Sequence, residues 1–258
     1  MSKATDNRSP LKVRPLRHAG QSMDEEITRL FDEDVLPYYF VAVLLVVLAG
    51  FEWWRSYSGS PPLPWFFTSV AVVAVALAAW KVVRVLRTVR NLKLGRDGER
   101  VMGQFLETLR AQGFRVFHDI PGDGFNVDHL IVGSKGVFTI ETKTLSKPLR
   151  GESKIAFDGD EITIGGYQPD RNPIVQARAQ AAWVRDLVFE TTGRRISVHP
   201  VVVYPGWFVE GPPKGAKSDV WVLNPKALPA FIEHERDTLT TEDMSLICDR
   251  IARHVRDH

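Results

Sequence analysis

Three ionisable side chains on two neighbouring predicted strands form the strongest chemical pattern in this sequence. Asp128 lies in NVDHLIV, Glu141 and Lys143 lie in GVFTIETKT, and the turn GSKG at residues 133–136 separates the two segments. If the hairpin closes symmetrically on the two glycines of this turn, Asp128 lies directly opposite Glu141 on one face of the sheet. Because strand side chains alternate with period two, Lys143 shares the face of Glu141. The sequence therefore predicts a cluster of two carboxylates and one lysine.

Two carboxylates held this close would repel each other unless a cation or a proton lay between them. Hard oxygen ligands in a site with open positions suit Mg²⁺ or Mn²⁺, and such an ion polarises a phosphoryl oxygen and activates bound water. Lys143 would then orient the attacking water or stabilise the charge that develops on phosphate. We therefore predict phosphodiester hydrolysis, with Asp128 and Glu141 as metal ligands and with Asp128, Glu141 and Lys143 as catalytic residues.

Helices and strands alternate around this cluster in the order of a mixed α/β domain, which we place at residues 95–258. A first helix shows apolar residues at helical spacing and ends at Gly113. FRVFHDI reads as a strand, KIAFDGDEITI reads as a hairpin that turns at Asp158 and Gly159, and a helix extends from Pro173 to Gly193. SVHPVVVYP and VWVLN follow as strands, and two helices close the domain.

Two apolar runs precede this domain and predict membrane-spanning helices at residues 35–57 and 64–86. The first contains VLPYYFVAVLLVVLAGF and the second contains WFFTSVAVVAVALAAWKVV. Both have aromatic residues near their ends, and Lys81 lies close enough to the end of the second run to reach the interface. Only SYSGSPPLP connects them, so they should form an antiparallel hairpin. Buried helices of a soluble protein are the alternative interpretation.

The residues that flank these runs predict the orientation. Residues 1–34 comprise a basic tail, interpreted as disordered up to residue 20, and a short acidic helix with Ser22 as its N-cap. The exit from the second run is also basic, whereas the connecting loop holds only Arg55. Because cytoplasmic flanks carry the excess of lysine and arginine, we expect a multi-pass protein of the cell membrane with both termini and the α/β domain in the cytoplasm.

Bulk composition is compatible with this organisation. The chain has 258 residues and a formal net charge of +2, so composition by itself does not indicate a nucleic-acid-binding protein. Cys248 is the single cysteine, which excludes an intramolecular disulfide and a cysteine-rich zinc site.

The pattern of Asp128, an apolar strand, and then Glu141 and Lys143 resembles the signature of the PD-(D/E)xK nuclease superfamily. More specifically, three blocks in this order resemble the nuclease-related domain, NERD: GRDGE at residues 95–99, NVDHLIVGSKGVFTIETKT, and NP…Q at residues 172–176. They cover about the first half of the soluble part. Val127 occupies the position of the proline that names the superfamily, and this position is loosely kept in such enzymes.

The resemblance implies a restriction-endonuclease-like fold, a mixed sheet flanked by helices, and adds two residues to the site. Glu99 matches the acidic residue on the first core helix and would be an outer metal ligand. Gln176 matches a helical glutamine that lies near the substrate in related nucleases. The resemblance also implies a nucleic-acid partner, for which we prefer DNA, and double-strand cutting would require a homodimer. The alternative is a catalytically silent nuclease-like module that binds nucleic acid or a protein partner at the membrane.

Overall fold

A computed structural model describes residues 15–59, 63–147, 154–169, 172–213, 216 and 218–258 of the chain. Its contacts divide the chain into two compact units. One unit is Ser22–Arg96, and the other joins the residues up to Gln21 with Asp97–His258. The first 14 residues of the predicted basic tail lie outside the described part of the chain.

The unit Ser22–Arg96 is helical. It contains α1 (Gln21–Asp34), α2 (Leu36–Tyr57) and the first part of α3 (Pro64–Glu107). Trp53 Nε1 donates to Thr68 Oγ1 at 2.9 Å, and Lys81 pairs with Asp34 at 2.6 Å, so α2 and α3 pack antiparallel as the short connection predicts. Both helices are long and apolar enough to cross a membrane, and only 11% of each apolar window is buried.

Helix α3 does not stop at residue 86, where the sequence predicted the end of the second apolar run. It continues without a break to Glu107, and a 3-10 turn and Gly113, with φ +91°, then end it. The predicted separate helix from Gly95 is therefore the C-terminal part of α3. No proline interrupts Trp65–Glu107, and each of its three glycines, Gly95, Gly98 and Gly103, costs only about 1 kcal/mol relative to alanine in a helix.

Eight strands form two sheets in the described residues, and together with the helices they confirm the predicted mixed α/β fold. The strands are β1 (Arg115–Pro121), β2 (Asn126–Gly133), β3 (Gly136–Thr142), β4 (Lys154–Phe157), β5 (Ile162–Ile164), β6 (Val198–Val203), β7 (Phe208–Glu210) and β8 (Trp221–Leu223). The larger sheet has the order β1-β2-β3-β6-β8: β1, β2 and β3 are antiparallel, while β6 and β8 continue the sheet in parallel.

Three further helices cover this domain: α4 (Pro173–Thr192), α5 (Leu228–Glu233) and α6 (Thr241–Asp257). Helix α4 begins at Pro173, and Gly193, with φ +70°, ends it, as the sequence predicted. In the structure, Asn172 caps its start. One face of the larger sheet packs on α3 and α5, and the other packs on α4 and α6. Strands buried on both faces in this way read as continuous apolar runs, which explains the sequence of β3 and β6.

The smaller sheet, in the order β5-β4-β7, contains the predicted hairpin at Asp158 and Gly159. Asp158 Oδ1 accepts hydrogen bonds from the backbone N–H groups of Asp160 and Glu161 and so fixes the turn. Strand β7 was not predicted, because its three residues show too few repeats for a pattern.

Gly98 permits a close approach between α3 and the segment after β3. A Cβ atom at position 98 would collide with Oγ1, Cβ and Cγ2 of Thr144, whereas a Cβ at Gly95 would meet only the flexible tip of Met23. We therefore expect Gly98→Ala to lower the free energy of unfolding by about 1–3 kcal/mol, despite the better helix propensity of alanine. The matched control Gly95→Ala, one turn earlier, should be neutral or stabilising. Thermal unfolding of the full chain measures both, and equal melting temperatures would contradict this account.

Candidate active site

The hairpin β2–β3 has the predicted register, with Gly133 opposite Gly136 and His129 opposite Ile140. The ladder ends at that last pair, so Asp128 and Glu141 are the next residues outward rather than a paired position. Asp128 Oδ2 instead accepts a hydrogen bond from the backbone N–H of Thr142 at 2.7 Å. The side-chain carboxylate therefore reaches across to the end of β3.

The inward and outward alternation on which the prediction relied breaks at this end of the sheet. Phe117 and Ile120 of β1 pack into the same apolar cluster, and so do Val127 and Leu130 of β2. Between the first two residues, Asp119 has φ +49°, a left-handed conformation that aspartate tolerates better than most residues. This local kink interrupts the regular alternation of β1 at Asp119.

Lys143 lies between Glu141 and Gln176, and the structure therefore brings together three of the sequence-predicted residues. Its Nζ is 2.5 Å from Glu141 Oε1 and 2.9 Å from Gln176 Oε1. Glu141 is 2% exposed, whereas Asp128, Lys143 and Gln176 are half-buried. The cluster is thus closed behind Glu141 and open to solvent on the side of the other three residues.

Gln180 is part of this cluster and was missed by the sequence analysis. It lies one helical turn after Gln176, is 1% exposed, and donates from Nε2 to Glu141 Oε2 at 2.5 Å and to the Asn126 carbonyl at 3.0 Å. Both carboxylate oxygens of Glu141 are therefore bonded, one to Lys143 and one to Gln180. The i, i+4 spacing of the two glutamines was the available signal, since such residues share a helix face.

Glu99 of α3 lies near these residues and is 3% exposed. Burial, followed by the negative charges of Asp119 and Glu141, raises the pKa of Glu99 to about 7. A hydrogen bond from the Gly20 backbone and the charge of Lys143 act in the opposite direction. Glu99 is thus electrostatically linked to the carboxylates with which the sequence grouped it.

Asp128 belongs to the same electrostatic group. Loss of hydration, followed by the charges of Glu141 and Glu99, raises the pKa of Asp128 well above its ordinary value. A carboxyl group whose pKa is raised by neighbouring carboxylates in this way is arranged to share a proton or a cation with them.

The donor set fits a magnesium ion bound mainly through water. In the described ranges, no three His, Cys, Asp or Glu side chains are grouped closely enough to hold a metal ion by themselves. Mg²⁺ commonly keeps several waters and uses one or two carboxylates plus substrate phosphate. Asp128 and Glu141 can supply those carboxylates, and Glu99 would act from farther out.

Asp119 is a second residue that the sequence analysis missed, and it connects the site to the N-terminal segment. Asp119 is buried, and its Oδ2 pairs with Arg17 Nε at 2.8 Å while its Oδ1 accepts from Asn126 Nδ2 at 3.0 Å. Residues 15–20, predicted to be part of a disordered tail, are therefore ordered in the unit that contains the α/β domain. The composition of the tail predicted disorder because it cannot reveal a specific partner such as Asp119.

His118 and His129 form a hydrogen-bonded pair on neighbouring strands. Their Nδ1 atoms are 2.9 Å apart, and His118 Nε2 is 2.9 Å from Glu107 Oε1. Burial lowers the pKa of both histidines, so the neutral forms are favoured. This pair belongs to the packing under α3 rather than to the carboxylate cluster.

Comparison with known proteins identifies a similar family over the range that contains these residues. Residues 94–205 match the family model of the nuclease-related domain, NERD, and this range includes Glu99, Asp128, Glu141, Lys143 and Gln176. An uncharacterized protein of Bacillus anthracis is 30% identical over 67 residues, which are 24% of this chain and 32% of that protein. The chain therefore matches about a third of the length of this relative. No solved structure matches the chain. Residues 94–205 of this chain are thus similar to the nuclease-related domain of the NERD family.

Proposed function

We propose that this protein is a membrane-anchored, Mg²⁺-dependent nuclease that hydrolyses phosphodiester bonds in nucleic acid, with DNA as its preferred substrate. The observation that carries this proposal is the bonded set of Lys143, Glu141 and Gln176 beside Asp128, inside a nuclease-related domain. Asp128, Lys143 and Gln176 are half-buried and form the solvent-facing side of this set, so a phosphate could enter there.

Each residue has a distinct part in this proposal. Asp128 and Glu141 would hold the divalent ion, with Glu99 as an outer ligand, and the bound ion would supply a polarised phosphoryl oxygen and activated water. Lys143 would stabilise the charge that develops on the phosphate or orient the water. Gln176 would fix the position of the lysine Nζ, and Gln180 would fix the carboxylate of Glu141.

We further propose that α2 and the apolar part of α3 cross the cell membrane as a hairpin, with both termini in the cytoplasm. The basic residues before α1 and after residue 80 support this orientation. The contact between Arg17 and Asp119 also requires the N-terminal segment and the nuclease-related domain to lie on the same side of the membrane.

Nuclease activity should depend on the named cluster. We expect the full chain, purified in detergent, to cut labelled single- or double-stranded DNA or RNA with Mg²⁺ or Mn²⁺ and not with EDTA. Lys143→Met and Asp128→Asn should each lower the rate by at least about 100-fold, the usual magnitude for losing one electrostatic group of a site.

Lys154→Met is the matched control, because Lys154 also pairs with a glutamate, Glu210 at 2.7 Å, but lies on the surface. Equal activity of Lys143→Met and the control would refute the assignment of the site. Binding of nucleic acid without any cutting would favour the silent module in its place.

The pKa of Glu99 predicts a pH-dependent stability. A carboxyl group whose pKa is higher in the folded than in the unfolded protein destabilises the fold when it is ionised. The free energy of unfolding should therefore fall as pH rises from about 4.5 through about 7. Without divalent ions, Glu99→Gln should therefore stabilise the protein by about 1–3 kcal/mol at pH 8 and have little effect at pH 4.5.

Thermal unfolding in EDTA at the two pH values tests this expectation. Glu107→Gln, on the same helix, is the control of opposite sign, because hydrogen bonds from Arg110 and His118 outweigh desolvation and lower the pKa of Glu107. If Glu99→Gln were less stable than the wild type at pH 8, the ionised carboxylate of Glu99 would not destabilise the fold, and the expectation would be wrong.

The proposed topology can be measured with single cysteines. In a Cys248→Ser background, we expect Ser58→Cys, just after α2, to react with a membrane-impermeant maleimide in intact spheroplasts. Arg253→Cys, on the exposed face of α6, should react only after lysis. Labelling of Arg253→Cys in intact spheroplasts, with Ser58→Cys protected, would show the reverse orientation.

A further inference from the structure

The segment before α1 contacts the carboxylate cluster through two different donors. Arg17 Nε pairs with Asp119 Oδ2 at 2.8 Å, and the Gly20 backbone donates a hydrogen bond to Glu99. Arg17 is 15% exposed and Asp119 only 2%, so water screens this ion pair weakly. Residues more than 75 positions apart in the chain thus meet at the two acidic residues on the α3 side of the site.

The fit of this segment is close, which distinguishes it from a tail lying loosely on a surface. Ala19 and Gly20 are buried, and Gly20 has φ +75°, a conformation that favours glycine. On α3, a Cβ atom at Gly103 would come within 2.8 Å of Ala19 Cβ, so the helix leaves room for this segment. The segment is therefore built into the nuclease-related domain.

From these contacts we infer that Arg17 is a positioning residue of the candidate active site, and that through Asp119 it sets how tightly the carboxylates bind a divalent cation. This inference rests on the proposed metal-dependent function. Hydrogen bonds connect Asp119 to the site, because Asn126 donates from Nδ2 to Asp119 Oδ1 and its carbonyl accepts from Gln180, which also donates to Glu141. The charge of Asp119 also acts on the carboxyl of Glu99. Arg17 neutralises the charge of Asp119. Because Arg17 is positive, it also repels a divalent cation that binds to the carboxylates.

Charge determines the direction of the effect. Removing Arg17 leaves the Asp119 carboxylate without this counter-ion beside the other carboxylates, so the local potential becomes more negative and attracts a divalent cation more strongly. Removing the charge of Asp119 instead takes one negative charge away from the carboxylates while the positive charge of Arg17 remains, which weakens cation binding. A purely structural role for the pair would make both substitutions weaken binding, because both would loosen the site.

Titration of the full chain in detergent with Mn²⁺, following the free ion by electron paramagnetic resonance, tests the inference without any activity assay. We expect Arg17→Gln to tighten the dissociation constant about tenfold and Asp119→Asn to weaken it about tenfold, from the Coulomb interaction of partly buried charges. Arg17→Lys should return the dissociation constant towards the wild-type value, and Arg17→Gln with Asp119→Asn should lie near it.

Arg29→Gln is the matched control. It removes a different arginine–carboxylate ion pair, Arg29 with Glu26 at 2.7 Å, from the exposed surface of α1, and should not change Mn²⁺ binding. Hydrogen exchange at Gly20 checks the contact itself, and should become faster in Arg17→Gln and stay unchanged in Arg29→Gln.

Weakened or unchanged Mn²⁺ binding in Arg17→Gln, with the wild type binding normally, would overturn the role of Arg17 and leave the proposed function intact. A wild-type chain that binds no Mn²⁺ would overturn both. The two failures are therefore distinguishable in one series of titrations.

Discussion

The constraint on which the site depends is the burial of the Glu141 carboxylate at the end of a central strand. A buried charge is costly unless both of its oxygens are bonded, and breaking one partner of such a group is strongly destabilising. Lys143 and Gln180 supply the two bonds, one from the end of the same strand and one from α4. The packing of α4 against the sheet therefore stabilises the buried carboxylate of Glu141 as well as the apolar core.

Helix α3 supplies the opposite wall of the site. Its C-terminal part packs Met102 and Leu106 on the sheet and buries Glu99, and Gly98 and Gly103 let neighbouring segments approach closely. The same helix carries one of the two apolar stretches that are long enough to cross a membrane. Glu99 and the second apolar stretch of the proposed anchor thus lie in the same helix.

The chain also uses its sheet topology to bring distant residues together. The antiparallel hairpin β2–β3 presents Asp128 and Glu141 at one end, and parallel pairing of β3 with β6 requires a crossover, which contains α4 and both glutamines. The N-terminal segment adds Arg17 to the same region. A site with members from residue 17 to residue 180 is therefore assembled within one domain.

Local signals in the sequence determined most of the elements and part of the site. The GSKG turn determined the register of β2 and β3, and Pro173 and Gly193 determined the limits of α4. Glu141 with Lys143 followed from strand periodicity, because each of these signals depends on neighbours within a few residues. Only the tertiary structure decided the continuity of α3 through residues 86–95, the kink at Asp119 and the roles of Gln180 and Arg17. These depend on contacts between residues far apart in the chain, and no local pattern specifies which distant carboxylate an arginine or a glutamine will meet.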